Sequence, residues 1–492
     1  MIGAISAYRK MHQITPLSFT TDVGMIRVTP LYLGPCIYDS IRAMVVYAIW
    51  AQIVLVIVGI FVARAALTTA RTPQGAAAWV VFLVSFPLLA LPAFAVFGGI
   101  SRLSTRSKLP RAMPLPVPSE GHLGQLTGVT GTSVTEGNKV TLLIDGQDTF
   151  DAIFAAIDDA EHEILVQFYI MRADKLGLAL REHLIAAARR GVQVHVLCDI
   201  IGSLFLGYRY VQVLEAEGIK LRGIPGPHMA LGRIGINFRN HRKAVVVDGV
   251  IGFTGGLNVG QEYIDGGHKF DSWRDTHVRV DGPMATQLRD IFAADWKGVT
   301  KQDLADLPPP QPAGDHRGLI TGFGPTDTLE RGSLLLCGMV NLARRRLWIA
   351  TPYLVPHTDL LSALQLASLR GVDVRILIPA PSDNILAWYA SRNAAMTLIN
   401  AGIDVYEYQT GFMHSKVMLI DDNVASIGTV NLDIRSALLN FEQTALIEDK
   451  DFAHQVEAML TTDFANATPV ANPPPRHVRV LAPVARLFGP LL

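Results

Sequence analysis

The stretch His241-Arg-Lys243-Ala-Val-Val-Val-Asp248 runs on to Gly255-Gly256-Leu-Asn258, and the chain repeats it as His414-Ser-Lys416-Val-Met-Leu-Ile-Asp421, running on to Gly428-Thr429-Val-Asn431. Both copies read H-x-K-x4-D, and in both the asparagine falls 17 residues after the histidine. The apolar runs at 243–247 and 416–420 predict short interior strands. Residues two apart in a strand share a face, so His241 and Lys243 point one way, as do His414 and Lys416. Asp248-Gly249 is a hairpin-turn signal that returns the chain and brings Asn258 to the rim carrying His241.

The repeat extends beyond the motifs. Glu163-Ile-Leu-Val-Gln-Phe-Tyr-Ile170 and Arg346-Leu-Trp-Ile-Ala-Thr351 read as buried strands. Each precedes a helical stretch ending in Arg-Gly-Val, at Arg190-Gly191-Val192 and Arg370-Gly371-Val372, and each then resumes as a strand. Strand–helix alternation with glycine at the helix ends predicts α/β units on a largely parallel sheet. Leu307-Pro-Pro-Pro-Gln-Pro312 divides the body. The expected units are a first lobe at 126–306, a linker at 307–318, a second lobe at 319–470 and a tail at 471–492.

Upstream, 43–63 and 76–100 carry no charged residue. Each is long enough to cross a bilayer core, which takes about 20 helical residues. Pro87 and Pro92 predict a kink in the second, tolerable in a membrane helix. The first span begins too far into the chain for a cleaved signal peptide. The expected arrangement is a transmembrane hairpin at 42–101, followed by a linker at 102–125 that includes the proline-rich run Leu109 to Pro118. Arg27 and Arg42 precede the first span, Arg102, Arg106, Lys108 and Arg111 follow the second, and the intervening loop holds only Arg64 and Arg71. That bias puts the outer flanks and the body in the cytoplasm. Residues 1–41 form a lead with no readable pattern, and Met25 and Met44 are alternative starts.

Composition narrows the function. The 492 residues carry 43 basic and 43 acidic side chains, so net charge is zero, against the basic bias of a dedicated nucleic-acid binder. Half the residues are hydrophobic, as befits a chain with membrane spans. Cys36, Cys198 and Cys337 make neither a disulfide framework nor a C-x-x-C metal pattern.

A duplicated His/Lys/Asn set suits phosphodiester chemistry. Anionic oxygens repel nucleophiles, and a covalent intermediate divides the displacement into two easier steps. One imidazole attacks phosphorus; the other donates a proton to the departing alkoxide and then accepts one from the incoming hydroxyl. Lys243, Lys416, Asn258 and Asn431 hold the phosphate oxygens. No metal and no other cofactor is called for. Asp275 opens the run Asp275-Thr-His-Val-Arg-Val-Asp281 and Glu442 opens the matching Glu442-Gln-Thr-Ala-Leu-Ile-Glu448, so both are candidate histidine-orienting carboxylates. Asp248 and Asp421 complete the catalytic motifs and are read as braces for the local turns. Arg233, Arg239, Arg242, Arg274 and Arg435 lie near the motifs, open to either a second phosphate or plain ion pairs. His122, His162, His183, His195, His228, His268 and His454 lack comparable context and read as structural or exposed.

A single H-x-K-x4-D is weak, whereas two copies with matched tails inside a wider repeat are specific. The paired motif resembles the phospholipase D superfamily. Nearly the whole chain resembles the bacterial cardiolipin synthases within it, through Asn240-His241-Arg-Lys243, Trp273-Arg-Asp275-Thr, Thr351-Pro-Tyr-Leu-Val-Pro356, Gly428-Thr-Val-Asn431-Leu-Asp-Ile-Arg435-Ser and the ending Arg486-Leu-Phe-Gly-Pro-Leu-Leu492. The resemblance implies two tandem phospholipase D-like α/β lobes in one bilobal catalytic body behind a two-helix transmembrane hairpin. It implies a multi-pass enzyme of the bacterial inner membrane that joins two phosphatidylglycerols into cardiolipin and releases glycerol through a phosphatidyl-histidine. It also implies that the first half supplies the nucleophile, making His241 the nucleophile and His414 the acid/base; the residues alone leave that order open. Gly256 and Thr429 depart from the superfamily's serine. A phosphodiester hydrolase and, further off, a non-catalytic membrane scaffold are the alternatives. The expected partners are phospholipid and the bilayer, not nucleic acid; oligomeric state is not legible. The apolar stretch from Val478, with Arg479 and Arg486 interspersed, fits either an interfacial segment or packing on the body.

Overall fold

The structure, a computed structural model, describes residues 35–70, 73–98, 120–224 and 238–489. Most of the lead, the proline-rich run, the basic residues 102–111, Arg233 and His228 lie outside them.

A helix over Pro35–Thr69 contains the segment Arg42–Thr68, long and apolar enough to cross a membrane. The second apolar stretch is not one continuous helix. It forms Pro73–Ser85 and Pro87–Phe97, parted at Phe86, which leaves helical geometry at φ −134° and ψ 56°. Pro87 has no N–H to continue the ladder and disfavours helical geometry in the residue before it. The three helices pack through Ala63, Ala66, Leu83, Ala90 and Phe94. Gly59 permits the approach: a Cβ there would stand 2.4 Å from the Leu83 carbonyl oxygen.

Among the described residues the body has twenty strands. The first half supplies β1 (Thr135–Ile144), β2 (Glu163–Phe168), β3 (Gln193–Asp199), β4 (Lys220–Ile224), β5 (Arg239–Asn240), β6 (Ala244–Val247), β7 (Ile251–Gly255), β8 (Trp273–Arg274) and β9 (Thr276–Asp281). The second supplies β10 (His316–Phe323), β11 (Arg346–Ala350), β12 (Leu354–Val355), β13 (Asp373–Pro379), β14 (Asp404–Tyr408), β15 (Phe412–Met413), β16 (Val417–Ile420), β17 (Val424–Gly428), β18 (Leu432–Asp433), β19 (Asn440–Glu448) and β20 (Ala467–Pro469). β10 begins inside the expected linker 307–318.

The main sheet runs β20-β14-β13-β11-β16-β17-β19-β10-β1-β9-β7-β6-β2-β3-β4. Read outward from the central β1–β10 pair, the halves have the same order. The sheet is not largely parallel, as the helix–strand alternation suggested. Along this path, parallel pairing is confined to the wings β2-β3-β4 and β11-β13-β14. Each motif strand returns through its own hairpin, β6 to β7 and β16 to β17, which makes the middle antiparallel. The helix-ending glycines fall where the sequence puts them: Gly191 and Gly371 take φ of 97° and 85°, the left-handed conformation that stops a helix without a Cβ penalty.

Helices Asp145–Asp158, Lys175–Arg189 and Tyr208–Ala216 cover the first wing, and Arg331–Leu342, Thr358–Leu369 and Ile385–Ile399 cover the second. The opposite face forms one core shared by both halves. There Leu165, Val246 and Val278 meet Val417, Ala425 and Phe452, under helices Pro283–Thr300 and Lys450–Ala465. β7 and β9 come against β17 in this layer. The C-terminal helix Arg476–Arg486 packs on Ile385–Ile399.

Candidate active site

Each motif histidine lies three residues before its strand, beyond the C-terminal end of a parallel-wing strand, since Ala244 pairs with Gln167 and Val417 with Ala350. Two short parallel pairings then cross between the halves. Arg239 and Asn240 of β5 pair with Asn440 and Phe441 of β19, and the His241 amide donates to the Phe441 carbonyl at 2.9 Å. Trp273 and Arg274 of β8 pair with Phe412 and Met413 of β15, and the His414 amide donates to the Arg274 carbonyl at 2.8 Å. Each histidine therefore faces the carboxylate just after the other half's paired residues. His241 Nδ1 lies 3.0 Å from both oxygens of Glu442, and His414 Nδ1 lies 2.6 Å from Asp275 Oδ2. Both carboxylates are fully buried.

The two departures from serine answer different needs of these carboxylates. A Cβ at Gly256 would stand 2.0 Å from Asp275 Oδ1, so glycine leaves room for that carboxylate. At the matching position the Thr429 hydroxyl donates to Glu442. Glu442 also accepts from Asn440 Nδ2 at 3.1 Å, and Asp275 from the Thr276 amide at 2.8 Å.

Burial pushes both imidazoles below their ordinary value, His241 to about 4 and His414 to about 3, against the pull of their carboxylates. Burial alone would raise Glu442 and Asp275, but the facing imidazoles and nearby lysines outweigh it and hold both below the usual range. The resting arrangement is thus neutral imidazole on ionised carboxylate, with Nδ1–H donating and Nε2 the acceptor nitrogen. Lys243 Nζ donates to the His241 carbonyl at 2.8 Å, and Lys416 Nζ to the His414 carbonyl at 2.6 Å while standing 3.1 Å from His414 Nε2. Burial brings the lysines down to about 7 and about 8.

His241, His414, Asn258 and Asn431 line one cleft of about 450 Å³. Asn258 is engaged on both sides: Oδ1 accepts from the Ile170 amide at 3.0 Å, and Nδ2 donates to the Tyr263 hydroxyl at 2.7 Å. Asn431 keeps a buried Oδ1 without a hydrogen-bond partner among the described residues. Asp248 and Asp421 lie away from the cleft, at the far ends of the motif strands. Asp248 accepts from the amides of Glu161, His162 and Glu163, and Asp421 from those of Arg344, Arg345 and Arg346.

The arginines divide. Arg242 pairs with Asp295 at 2.7 Å; Arg274 pairs with Asp463 at 2.7 and 2.8 Å and with Asp145 at 3.1 Å, fixing the backbone next to Asp275. Arg239 and Arg435 line the cleft. Sequence reasoning missed the aromatic wall: Trp273 stands 5.1 Å from the His414 ring, Tyr263 6.1 Å from it, and Tyr169 5.1 Å from the His241 ring. It also missed Tyr353 and Asp433, the latter pushed up to about 6 by burial. Trp273, Tyr353 and Asp433 stood inside quoted motifs and Tyr169 inside a quoted strand; Tyr169 and Tyr353 follow β2 and β11, the edge where a sheet opens its crevice.

The family model described as "Cardiolipin synthase, PLD-like domain" matches residues 153–296 and 336–464. Cardiolipin synthase A of Pseudomonas putida (strain W619) is 41% identical over 466 residues, covering 89% of this chain and 96% of its own. Cardiolipin synthase A of Pseudomonas aeruginosa (strain LESB58) is 40% identical over 464 residues, covering 89% and 94%. Among solved structures, the phosphatidylserine synthase of Haemophilus influenzae Rd KW20 shares the fold, with TM-score 0.57 at 15% identity over 75% of this chain and 100% of its own. With identity of this extent spanning both motifs, the chain belongs to the cardiolipin synthase family of the phospholipase D superfamily.

Proposed function

We propose that the protein is a phosphatidyltransferase that joins two phosphatidylglycerols into cardiolipin and releases glycerol, through a phosphatidyl-histidine. The observation that carries the mechanism is the crossed pair of imidazole–carboxylate contacts lining one cleft. His241 Nε2 attacks the donor phosphorus and the bond to the glycerol oxygen breaks, His414 supplying that oxygen with a proton. The acceptor's primary hydroxyl then gives its proton to His414 and bonds to phosphorus as the bond to His241 breaks. An anionic diester in the cleft favours imidazolium, so His414 takes up its proton with the substrate. Lys243, Lys416, Asn258 and Asn431 hold the phosphate oxygens, and Glu442 and Asp275 orient the imidazoles. Exchange of one phosphodiester for another needs no nucleotide.

The two motif halves act as one bilobal body, divided near 307–318. The helices at 35–97 serve as a two-span hairpin of the bacterial inner membrane, with the body in the cytoplasm, where it meets phosphatidylglycerol. The apolar segment Arg42–Thr68 supports the anchor, and the basic flanks support the orientation.

The test is the purified full chain in mixed micelles with phosphatidylglycerol as the sole lipid. Cardiolipin and glycerol in equal amounts are expected. Phosphatidic acid in place of cardiolipin would make the protein a hydrolase, and no turnover of any kind would leave only the scaffold reading.

A further inference from the structure

The cleft mouth is flanked by two exposed apolar patches that the transfer chemistry does not use. On the first half, the loop after β3 presents Ile201, Leu204, Phe205 and Tyr208, with Phe205 87% and Tyr208 77% exposed. This loop is seated on the cleft wall: Ser203 Oγ donates to the Tyr169 carbonyl at 3.1 Å, and a Cβ at Gly202 would stand 2.2 Å from that same oxygen. Tyr169 lines the cleft.

On the second half, the helix Ile385–Ile399 follows β13 at the same edge of the sheet, and Asn384 and Ala387 at its start line the cleft. Its Ile385 and Leu386 face outward. The C-terminal helix Arg476–Arg486 packs against it through the narrow stripe Val478, Ala482 and Ala485. That leaves most of the C-terminal helix exposed. At about 100° per residue, Val480, Leu481, Val484, Leu487 and Phe488 fall in one outward arc of roughly 120°. Arg476, Arg479 and Arg486 fall in the adjoining arc of roughly 80°. Leu487 is 78% exposed. A soluble face would not place its largest apolar side chains outward and its alanines inward.

Apolar residues beside a basic strip are the signature of a helix lying in the headgroup region, with its apolar face some 5–10 Å into the acyl boundary. We propose that these two patches are a membrane-docking rim: they enter the surface of an anionic bilayer on both sides of the cleft and hold its mouth against the headgroups. The occupant is the bilayer for three reasons. The patches border a cleft whose family acts on lipid; the basic arc complements anionic headgroups; and the chain carries an apolar helix able to hold it at the same membrane. Where the anchor only tethers the body, the rim sets its orientation.

The experiment reads depth, not catalysis, so it stands apart from the transferase assay. The full chain, with Cys36, Cys198 and Cys337 replaced by alanine, carries a bimane on Phe205→Cys, Leu487→Cys or, as a control, Asp159→Cys at the opposite edge of the sheet. It is reconstituted in phosphatidylglycerol-rich vesicles with brominated acyl chains. At least twofold quenching at 205 and 487 with none at 159 is expected. Equal quenching at all three sites, or none at 205 and 487, overturns the proposal. So does shielding of 205 and 487 that grows with protein concentration in lipid-free detergent, which would assign the rim to a second copy. The unaltered chain gives an independent reading: amide exchange at 476–489 slows in nanodiscs of anionic lipid relative to zwitterionic lipid, and identical exchange in the two refutes the charge component.

Discussion

Glu442 lies 3.0 Å from Nδ1 of His241 although 201 residues separate them and they belong to different halves of the chain. Asp275 and His414 repeat the relationship in the opposite direction at 2.6 Å. Neither half holds a braced histidine by itself. The site exists only when β5 has paired with β19 and β8 with β15, so it is complete only with both halves in place.

Glu442→Gln keeps the shape and removes the charge that fixes the tautomer and stabilises the imidazolium. By analogy with carboxylate removal from other histidine pairs, kcat is expected to fall about a thousandfold or more, with KM little changed. Steady-state transfer from phosphatidylglycerol micelles measures this. A loss confined to KM would mean that Glu442 acts on substrate binding instead.

Gly256→Ser and Thr429→Ser form a contrasting pair, since both install the superfamily's commoner residue. At 256 the new Cβ meets Asp275 Oδ1 at 2.0 Å, so the carboxylate must move off His414. The expected result is a cost of roughly 1–3 kcal/mol in stability together with a large loss of kcat. At 429 the hydroxyl that donates to Glu442 is kept, and activity should stay within a few-fold. Thermal unfolding and turnover of the two variants side by side decide it.

Much of this was legible in the chain. The motif strands announce themselves through apolar runs ending in Asp248 and Asp421, and the hairpin after Asp248 follows from its Asp-Gly pair. Asp275 and Glu442 are visible as matched acids opening matched strands. What was not legible is which histidine each acid serves, because that depends on two pairings of only two residue pairs each, too short for any pattern. The antiparallel middle of the sheet was hidden for a related reason: helix–strand alternation dominates the outer wings, while the hairpins that reverse direction occupy only a few residues. Tyr169 and Tyr353 were missed because an aromatic residue after a buried strand is ordinary until the opposite wall is known.

Lys243 and Lys416 give the pH dependence. In the proposed mechanism their protonated forms hold an anionic diester, and burial brings them down to about 7 and about 8 from an ordinary 10.5. Positive charge is therefore half lost at Lys243 at about pH 7 and at Lys416 at about pH 8, and is complete only well below those values. KM for phosphatidylglycerol is expected to climb above pH 7, well before an exposed lysine would titrate. In Lys243→Arg, whose guanidinium does not deprotonate in this range, the first part of that rise should disappear even if kcat is lower. An unaltered profile would remove Lys243 from phosphate binding.

Asp421→Ala tests the brace. Its carboxylate accepts from three consecutive backbone amides, Arg344, Arg345 and Arg346, and its own φ is 51°. Losing those acceptors should cost roughly 1–3 kcal/mol of stability. Because the residue lies away from the cleft, kcat of the folded protein should change far less than in Glu442→Gln. Denaturant titration and activity at low temperature separate the two effects; a kcat loss matching that of Glu442→Gln would put Asp421 in the chemistry.

The order of the histidines is open to a leaving-group test. With phosphatidyl-p-nitrophenol as donor, the departing phenolate is weakly basic and needs no proton. His414→Ala should then still release a stoichiometric burst of nitrophenol and stall as the phosphatidyl-enzyme, because the acceptor's hydroxyl has lost its base. His241→Ala should release no burst, having no atom to receive the phosphatidyl group. The opposite pattern would reverse the roles of the two halves and leave the crossed bracing intact, since the fold sets a buried carboxylate of the other half against each imidazole.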